Sequence, residues 1–275
     1  MPVAASVRRI RLVAWHGFKE NIRDRVLYGI AGFAVLLVVA SWLIGEITAG
    51  QDLKIIKDLG LAAIELAGVV MAMLIGVGLV AREIERRTIY SLLSKPLARW
   101  EFILGKYGGL VLTLLVNVAA MTVALYAVLF VMQWVTPEGV RLGWEAPALD
   151  PALLVAVALI FVELALLTAV ALFFSTFSSS AISSTSLTLG VWIAGVFSPE
   201  LRGFSDLMAS RPAALVTTAV AAILPNFAAF DVKAMVVHGL HVPAGYVLLT
   251  ATYGLLYAAA TVGAAMAIFA RREFK

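Results

Sequence analysis

Five apolar stretches, at residues 26–44, 60–81, 107–135, 151–199 and 242–270, leave this chain few ways to fold. A helix needs about 20 apolar residues to cross a hydrocarbon layer roughly 30 Å thick, so each stretch is a candidate span. In lipid an unpaired backbone amide or carbonyl finds no water, and a spanning segment must therefore satisfy its own hydrogen bonds as a helix. The fourth stretch, at 49 residues, is long enough for two passes. Six passes are expected, at about 26–46, 60–81, 107–135, 151–174, 181–199 and 243–270. Composition agrees: 62% of residues are hydrophobic and 14% charged, where a soluble domain has about a quarter charged. The expected fold is an all-α integral membrane protein with a single transmembrane domain over residues 1–275.

Charge placement orients the passes. Fifteen of the 21 Lys and Arg residues lie before the first pass, between the second and third, or after the sixth. Six passes put those three segments on one side, with Lys54, Lys57, Arg141, Arg202, Arg211 and Lys233 opposite. Basic loops mark the cytoplasmic side, so both termini are expected inside, in the plasma membrane of a bacterium or archaeon. The excess of basic residues is thereby explained by topology and not by a nucleic-acid partner. A charged segment of about 25 residues precedes the first run, which is longer than a signal-peptide core, so that run is expected to stay as an anchor. The chain has no Cys, which excludes disulfides, thiolate metal sites and cysteine nucleophiles.

Two further segments carry helical patterns. Over residues 7–25, Val7, Ile10, Ala14, Trp15, Phe18 and Ile22 share an arc of roughly 140° at 100° per residue, with Arg9, His16, Lys19, Glu20 and Arg23 outside it. This predicts an amphipathic helix lying on the membrane surface; the alternative is a cytoplasmic extension of the first span. Residues 212–230 are also uncharged. Pro225 leaves too few helical residues there to span, which predicts an external or re-entrant helix before the sixth pass.

The most charged loop is AREIERRTIYSLLSKPLARWEFILGK, residues 81–106, with nine charged side chains in 26 residues. Glu83 and Arg87 stand four apart in the favourable order, so the second span is expected to continue as a solvated helix. Pro96 disfavours helix at Lys95 and closes it before ARWEFILGK starts another. The result is a helical elbow at about 82–95, projecting Glu83, Glu85, Arg86, Arg87, Thr88, Ile89 and Tyr90 from the bilayer. Mixed-charge runs often mean only water contact.

The order of residues here is informative. Glu85, Thr88, Leu92, Leu93, Pro96, Arg99, Gly105 and Lys106 resemble the pattern of type-2 ABC transporter permeases. In that pattern an acidic residue and a Thr precede LL, P, R and GK. The likeness continues in the Ser-rich fifth pass, in LPNFAAFD at 224–231 and in the terminal ARREF. Arg87 stands where many relatives have Gly, and Glu273 where Asp is common. The resemblance implies that the elbow is a coupling helix seated on a separate ATP-binding subunit, with Pro96 and Arg99 part of that coupling element. It also implies two such ATPases, a second permease copy as homodimer or related heterodimer, and outward transport more often than uptake. ATP and Mg would be held by the partner. The chain has no phosphate loop of its own: LGKY at 104–107 would need Gly at 100 and Ser or Thr at 107, where Trp100 and Tyr107 stand.

Inside the expected spans, Glu163 lies about twelve residues into the fourth pass and Asn117 about ten into the third, both near the midplane. They are candidates to hydrogen-bond, either as inter-helix glue or as part of a translocation path. FSTFSSSAISSTSLT at 174–188 offers small hydroxyl residues for close packing, including permease dimerisation, or for a polar substrate entrance. His238 and His241 would need helical spacing to share a metal, and Gly239 between them argues against it; no metal site is expected. No nucleophile, base and orienting residue converge by spacing, so the chain is not expected to be an enzyme. Three functions stand against each other. One is an exporter permease driven by a separate ATPase. Another is an assembly or mechanotransmission permease acting on an extracytoplasmic accessory protein, as resembling subunits do in copper-enzyme maturation. The third is a self-powered secondary transporter, hinted at by Glu163 alone.

Overall fold

The computed structural model describes residues 3–22, 52–85, 98–178, 180–200 and 223–271, with short pieces of 28–40. Among the described residues every regular element is helical. In chain order they are α1 (Val3–Ile22), α2 (Asp52–Glu85), α3 (Arg99–Val135), the single turn α4 (Glu138–Arg141), α5 (Ala152–Phe177), α6 (Ala181–Val196), a 3-10 turn at Ala228–Phe230, α7 (Lys233–Val237) and α8 (Ala244–Arg271). Four stretches among them are long and apolar enough to cross a membrane: Leu53–Val77 within α2, then α3, α5 and α8. These match four of the six expected passes. The fifth, α6, is apolar but has only 16 residues, about 24 Å of helix. The first expected pass, at 26–46, falls largely outside the described residues.

α5 is the hub of the bundle. It is apolar on every side except at Glu163, the pattern of a helix surrounded by others, and it touches α2, α3, α6 and α8. Small residues bring the neighbours close. A Cβ on Gly76 of α2 would lie 2.5 Å from the Ala171 Cβ, and one on Gly254 of α8 would lie 2.7 Å from Val162 Cγ1. Membrane helices lose no water by associating, so such close van der Waals contact supplies much of their affinity.

The helix ends form two clusters. At one, Lys54 pairs with Glu145 at 2.7 Å, Lys57 Nζ donates to the Pro147 carbonyl at 2.8 Å, and His238 approaches Glu145 at 3.6 Å. At the other, Arg9 meets Glu101, Lys106 meets Glu20, and Arg99 reaches the last carbonyls of α8. Segments expected outside the membrane thus gather at one end, and those expected inside gather at the other.

Two expectations are revised, and a third falls mostly outside the described residues. α2 begins at Asp52, eight residues before the apolar run, because Lys54 and Lys57 each find an oxygen in the 143–151 loop and need not end the helix. α1 does not cross its neighbour. Its contacts pair Arg9 with Glu101 and Asn21 with Thr113, both 92 residues apart, so α1 runs side by side with the first turns of α3. A helix laid flat would touch an upright α3 over little more than one turn, so the placement fits the alternative of an extension leading toward the first span. The face used also differs: Ala14 lies against α3 together with Val13 and Gly17, while Val7 and Trp15 of the expected stripe stay exposed. Finally, of the expected external or re-entrant helix at 212–230, only 223–230 falls among the described residues. That piece is a short irregular segment ending in a 3-10 turn.

Candidate functional site

The site begins where α3 starts, directly after the elbow. Arg9 of α1 holds Glu101 with two hydrogen bonds, Nε to Oε2 at 2.9 Å and Nη2 to Oε1 at 2.8 Å. Glu101 Oε2 also accepts from the Ala98 amide at 3.2 Å, one of the N–H groups left unpaired at a helix start. The fork-to-fork geometry fixes angle as well as distance. One turn later α1 and α3 come to backbone contact: a Cβ on Gly109 would lie 2.6 Å from the Ala14 carbonyl oxygen, and one on Gly105 would lie 2.7 Å from the Val13 Cβ. Lys106 between them is buried, with its ammonium 3.9 Å from Glu20 and 5.6 Å from the Phe102 ring centroid.

Arg99 ties in the terminal helix. Its guanidinium donates to the Ala270 carbonyl at 2.9 Å and the Phe269 carbonyl at 3.4 Å. These carbonyls lie in the last turn of α8, where a cation is favoured by the helix dipole. Phe102 stacks on Phe269 with ring centroids 5.9 Å apart. α1, α3 and α8 are therefore joined at the root of the elbow.

The elbow itself is partly described. α2 continues as helix through Glu85, past the apolar run, as the sequence predicts. The side chains of Glu83 and Glu85, together with Arg86, Arg87, Thr88, Ile89, Tyr90 and Pro96, lie outside the described residues. Of the nine elbow residues, Arg99 is the one whose contacts are on view, and it faces the bundle. Sequence reasoning missed Arg9 and Glu101, and it took Gly105 and Lys106 only as motif letters. The available signal was the trio Gly105, Gly108 and Gly109 early in a helix, a spacing that permits close approach. The same glycines explain the false phosphate-loop match: GK here lies in a helix interior and serves packing.

In the bundle, Asn117 and Glu163 take different partners. Asn117 Nδ2 donates to the Thr113 carbonyl one turn back at 2.8 Å, on the row of α3 that faces α1. Glu163 is buried on α5 and accepts from Trp192 Nε1 of α6 at 3.3 Å. Sequence placed the two at similar depth, but depth does not set azimuth. Glu65 of α2 forms an ion pair with Lys233 of α7, and Asp231 lies 3.7 Å from the same ammonium. Glu163 is within electrostatic reach of this pair.

The hydroxyl-rich turn between α5 and α6 satisfies its own backbone. Ser180 caps α6 by accepting from the Ile182 amide at 3.3 Å, while Ser175, Thr176, Ser184, Thr185 and Thr188 donate to carbonyls of their own helices. LPNFAAFD packs into the bundle. The Phe227 amide donates to the Gly195 carbonyl at 3.1 Å, and the Tyr253 hydroxyl accepts from the Asn226 amide at 2.9 Å. Phe227 and Phe230 are buried. Gly195 is near the end of α6, where a Cβ would lie 2.3 Å from the Pro225 carbonyl oxygen and 2.5 Å from the Phe227 ring, so the glycine lets this element approach closely.

At the end opposite the elbow, an open cleft of about 120 Å³ is lined by Lys54, Lys57, Trp144, Glu145 and Val237. The hydrogen bond from Lys54 is the main reason the Glu145 carboxyl is held below its usual range. His238 faces Glu145 and not His241, and among the described residues no three His, Asp or Glu side chains gather as a metal site.

No curated protein matches the chain. A family model described as ABC-2 family transporter protein matches residues 11–273, from within α1 to beyond the end of α8. The match covers the helices, the elbow between α2 and α3 and the LPN element in one alignment, and the chain accordingly belongs to the ABC-2 transporter family, as a membrane-spanning permease subunit of an ABC transporter.

Proposed function

We propose that this permease subunit works in an exporter and is driven through the 82–95 elbow by a separate ATP-binding subunit. The observation that carries this reading is mechanical. α2 and α3, of 34 and 37 residues, enter and leave the elbow as long continuous helices, about 51 and 55 Å of rod. A force applied at the elbow acts on both rods, and a rigid element can carry it through the membrane. Glu83, Glu85, Arg86, Arg87, Thr88, Ile89 and Tyr90 would form the contact surface and Pro96 its end. ATP and Mg would reside on the partner, with two ATPases and two permease copies per working unit. Both termini would be cytoplasmic, in a bacterial or archaeal inner membrane, as the basic-residue distribution favours.

The test is native purification of the full chain with identification of co-eluting proteins, before and after Glu83→Lys with Glu85→Lys. A phosphate-loop ATPase should co-elute with the parent and be lost or strongly reduced with the variant. Unchanged recovery would overturn the docking surface. Transport in vesicles made with the recovered complex then decides direction, while an extracytoplasmic protein in the eluate without transport would indicate the assembly role instead.

A further inference from the structure

We propose that the exposed face of α1 is a binding site for anionic phospholipid headgroups, made by Arg8, Arg11 and Lys19 around Trp15. The face opposite the α3 contact is mixed cationic and apolar. Val7, Leu12 and Trp15 are 49%, 60% and 52% exposed, and Arg8, Arg11 and Lys19 are exposed between them. At 100° per residue these six share an arc of roughly 140° that holds no acidic residue. Glu20 lies outside the arc and faces Lys106.

The register with α3 sets the height of each group. Contacts 92 residues apart place Trp15 level with Tyr107, where the apolar run of the α3 span begins. Trp15 is then at the hydrocarbon boundary, the depth that amphipathic rings favour. Arg8 and Arg11 fall about 10 and 6 Å outside that boundary, within reach of headgroups. Lys19 falls about 6 Å inside it, yet side chains on a helix lean toward its N-terminus, which here is the headgroup side. Its Nζ lies 5.4 Å from the Trp15 ring centroid, the position of a lysine snorkelling back to the interface. Three cations from different turns thus converge on one layer beside an aromatic anchor, and the charge that complements them there is a phosphodiester headgroup. Among the described residues Arg8 and Arg11 make no hydrogen bond or ion pair that would compete.

The test uses the full chain in nanodiscs containing brominated phosphatidylglycerol or brominated phosphatidylcholine at equal mole fraction. The Trp15 contribution to fluorescence quenching is the parent signal minus that of Trp15→Phe. Each cation near an anionic surface favours association about five-fold. Quenching should therefore be several-fold more effective with brominated phosphatidylglycerol, and Arg8→Gln with Arg11→Gln and Lys19→Gln should bring the ratio to about one. If that triple variant does not fold, Lys19→Gln alone should lower the ratio, and raising salt from 0.1 to 1 M, which shortens the Debye length from about 10 to 3 Å, should lower it in the parent. Free inorganic phosphate should not displace the lipid. A ratio of one in the parent would overturn the proposal. So would a ratio unchanged by the substitutions; if that came with loss of the ATP-binding subunit, the face would belong to a protein. The readout needs no ATPase, so failure here leaves the elbow reading standing and failure of the elbow leaves this one standing.

Discussion

Gly109→Ala should detach α1 from α3. A Cβ at this position lies 2.6 Å from the Ala14 carbonyl oxygen and 3.2 Å from the Phe18 amide nitrogen, where ordinary contact starts at 3.4 Å. Both atoms are backbone, so no rotamer change relieves the clash, and the helices must part. Overpacking of this kind costs about 1–3 kcal/mol. The new alanine returns up to about 1 kcal/mol of helix propensity. Gly263→Ala is the control, since nothing lies within 4 Å of its would-be Cβ and only the propensity gain remains. The two variants should therefore differ by about 1–3 kcal/mol, with Gly263→Ala neutral or stabilising. Thermal unfolding of the purified chain gives the ordering. A second readout follows from the absence of cysteine. The Ala14 Cβ is 3.6 Å from an ideal Cβ on Gly108, within the span a disulfide bridges. Ala14→Cys with Gly108→Cys should oxidise readily, and adding Gly109→Ala should slow it. If Gly109→Ala stabilised the chain as Gly263→Ala does and left oxidation unchanged, the close packing of α1 on α3 would be refuted.

Other residues give further tests. Lys54 holds the Glu145 carboxyl below its ordinary value of 4.5; a depressed carboxylate stabilises the fold above its unfolded pKa and loses that contribution as pH falls through the folded value. Amide exchange over residues 142–150 should thus accelerate as pH drops below 4.5 after correction for intrinsic rates, and Lys54→Met should remove that dependence. Lys233→Met strands Glu65 and should cost about 1–3 kcal/mol in unfolding measurements, with Glu65→Leu recovering part of it in the double variant. Phe230→Ala empties a site that is 1% exposed and should cost about 3–5 kcal/mol by the same assay. Glu163→Gln keeps an oxygen acceptor for Trp192, so unfolding should be little changed; loss of transport at normal expression would then assign Glu163 to the pathway and not to packing.

The spans were legible because bilayer thickness imposes a length on apolar runs, and four long helices fall within a few residues of the runs or overshoot them at polar ends. The overshoots were less legible. Lys54 and Lys57 look like the end of a helix until the loop at 143–151 offers Glu145 and the Pro147 carbonyl. The interaction of α1 with α3 left only the trio Gly105, Gly108 and Gly109, which permits close approach but names no partner, because that partner stands 92 residues away in the chain. The hydrophobic stripe on α1 did not separate the exposed side from the α3 side: Val7 and Trp15 are exposed, while Ala14 lies against α3 with Gly17 and a salt bridge. Asn117 and Glu163 were found by type and depth, but which neighbour each faces depends on helix rotation about its axis. A period of 3.6 residues does not fix that rotation without knowledge of the packing.

The arrangement at the elbow root suggests where a driven motion would travel. α3 is held to α1 by a bidentate ion pair and backbone contact, and at the elbow root to α8 by Arg99 and stacked rings, while α8 packs along most of its length on α5. α2 reaches the same elbow, packing on α3 at Gly60 and on α5 at Gly68 and Gly76. α6 is the least enclosed of the long apolar helices: Ser184, Thr188 and Gly195 are its buried positions. It packs along α5 and α2, and it is tied further by the Glu163–Trp192 hydrogen bond and the contact of Gly195 with the LPN element. Packed interfaces shift between discrete arrangements more easily than they deform. If the elbow is driven, the exposed sides of α6 leave room, among the described residues, for such a shift between α6 and its neighbours.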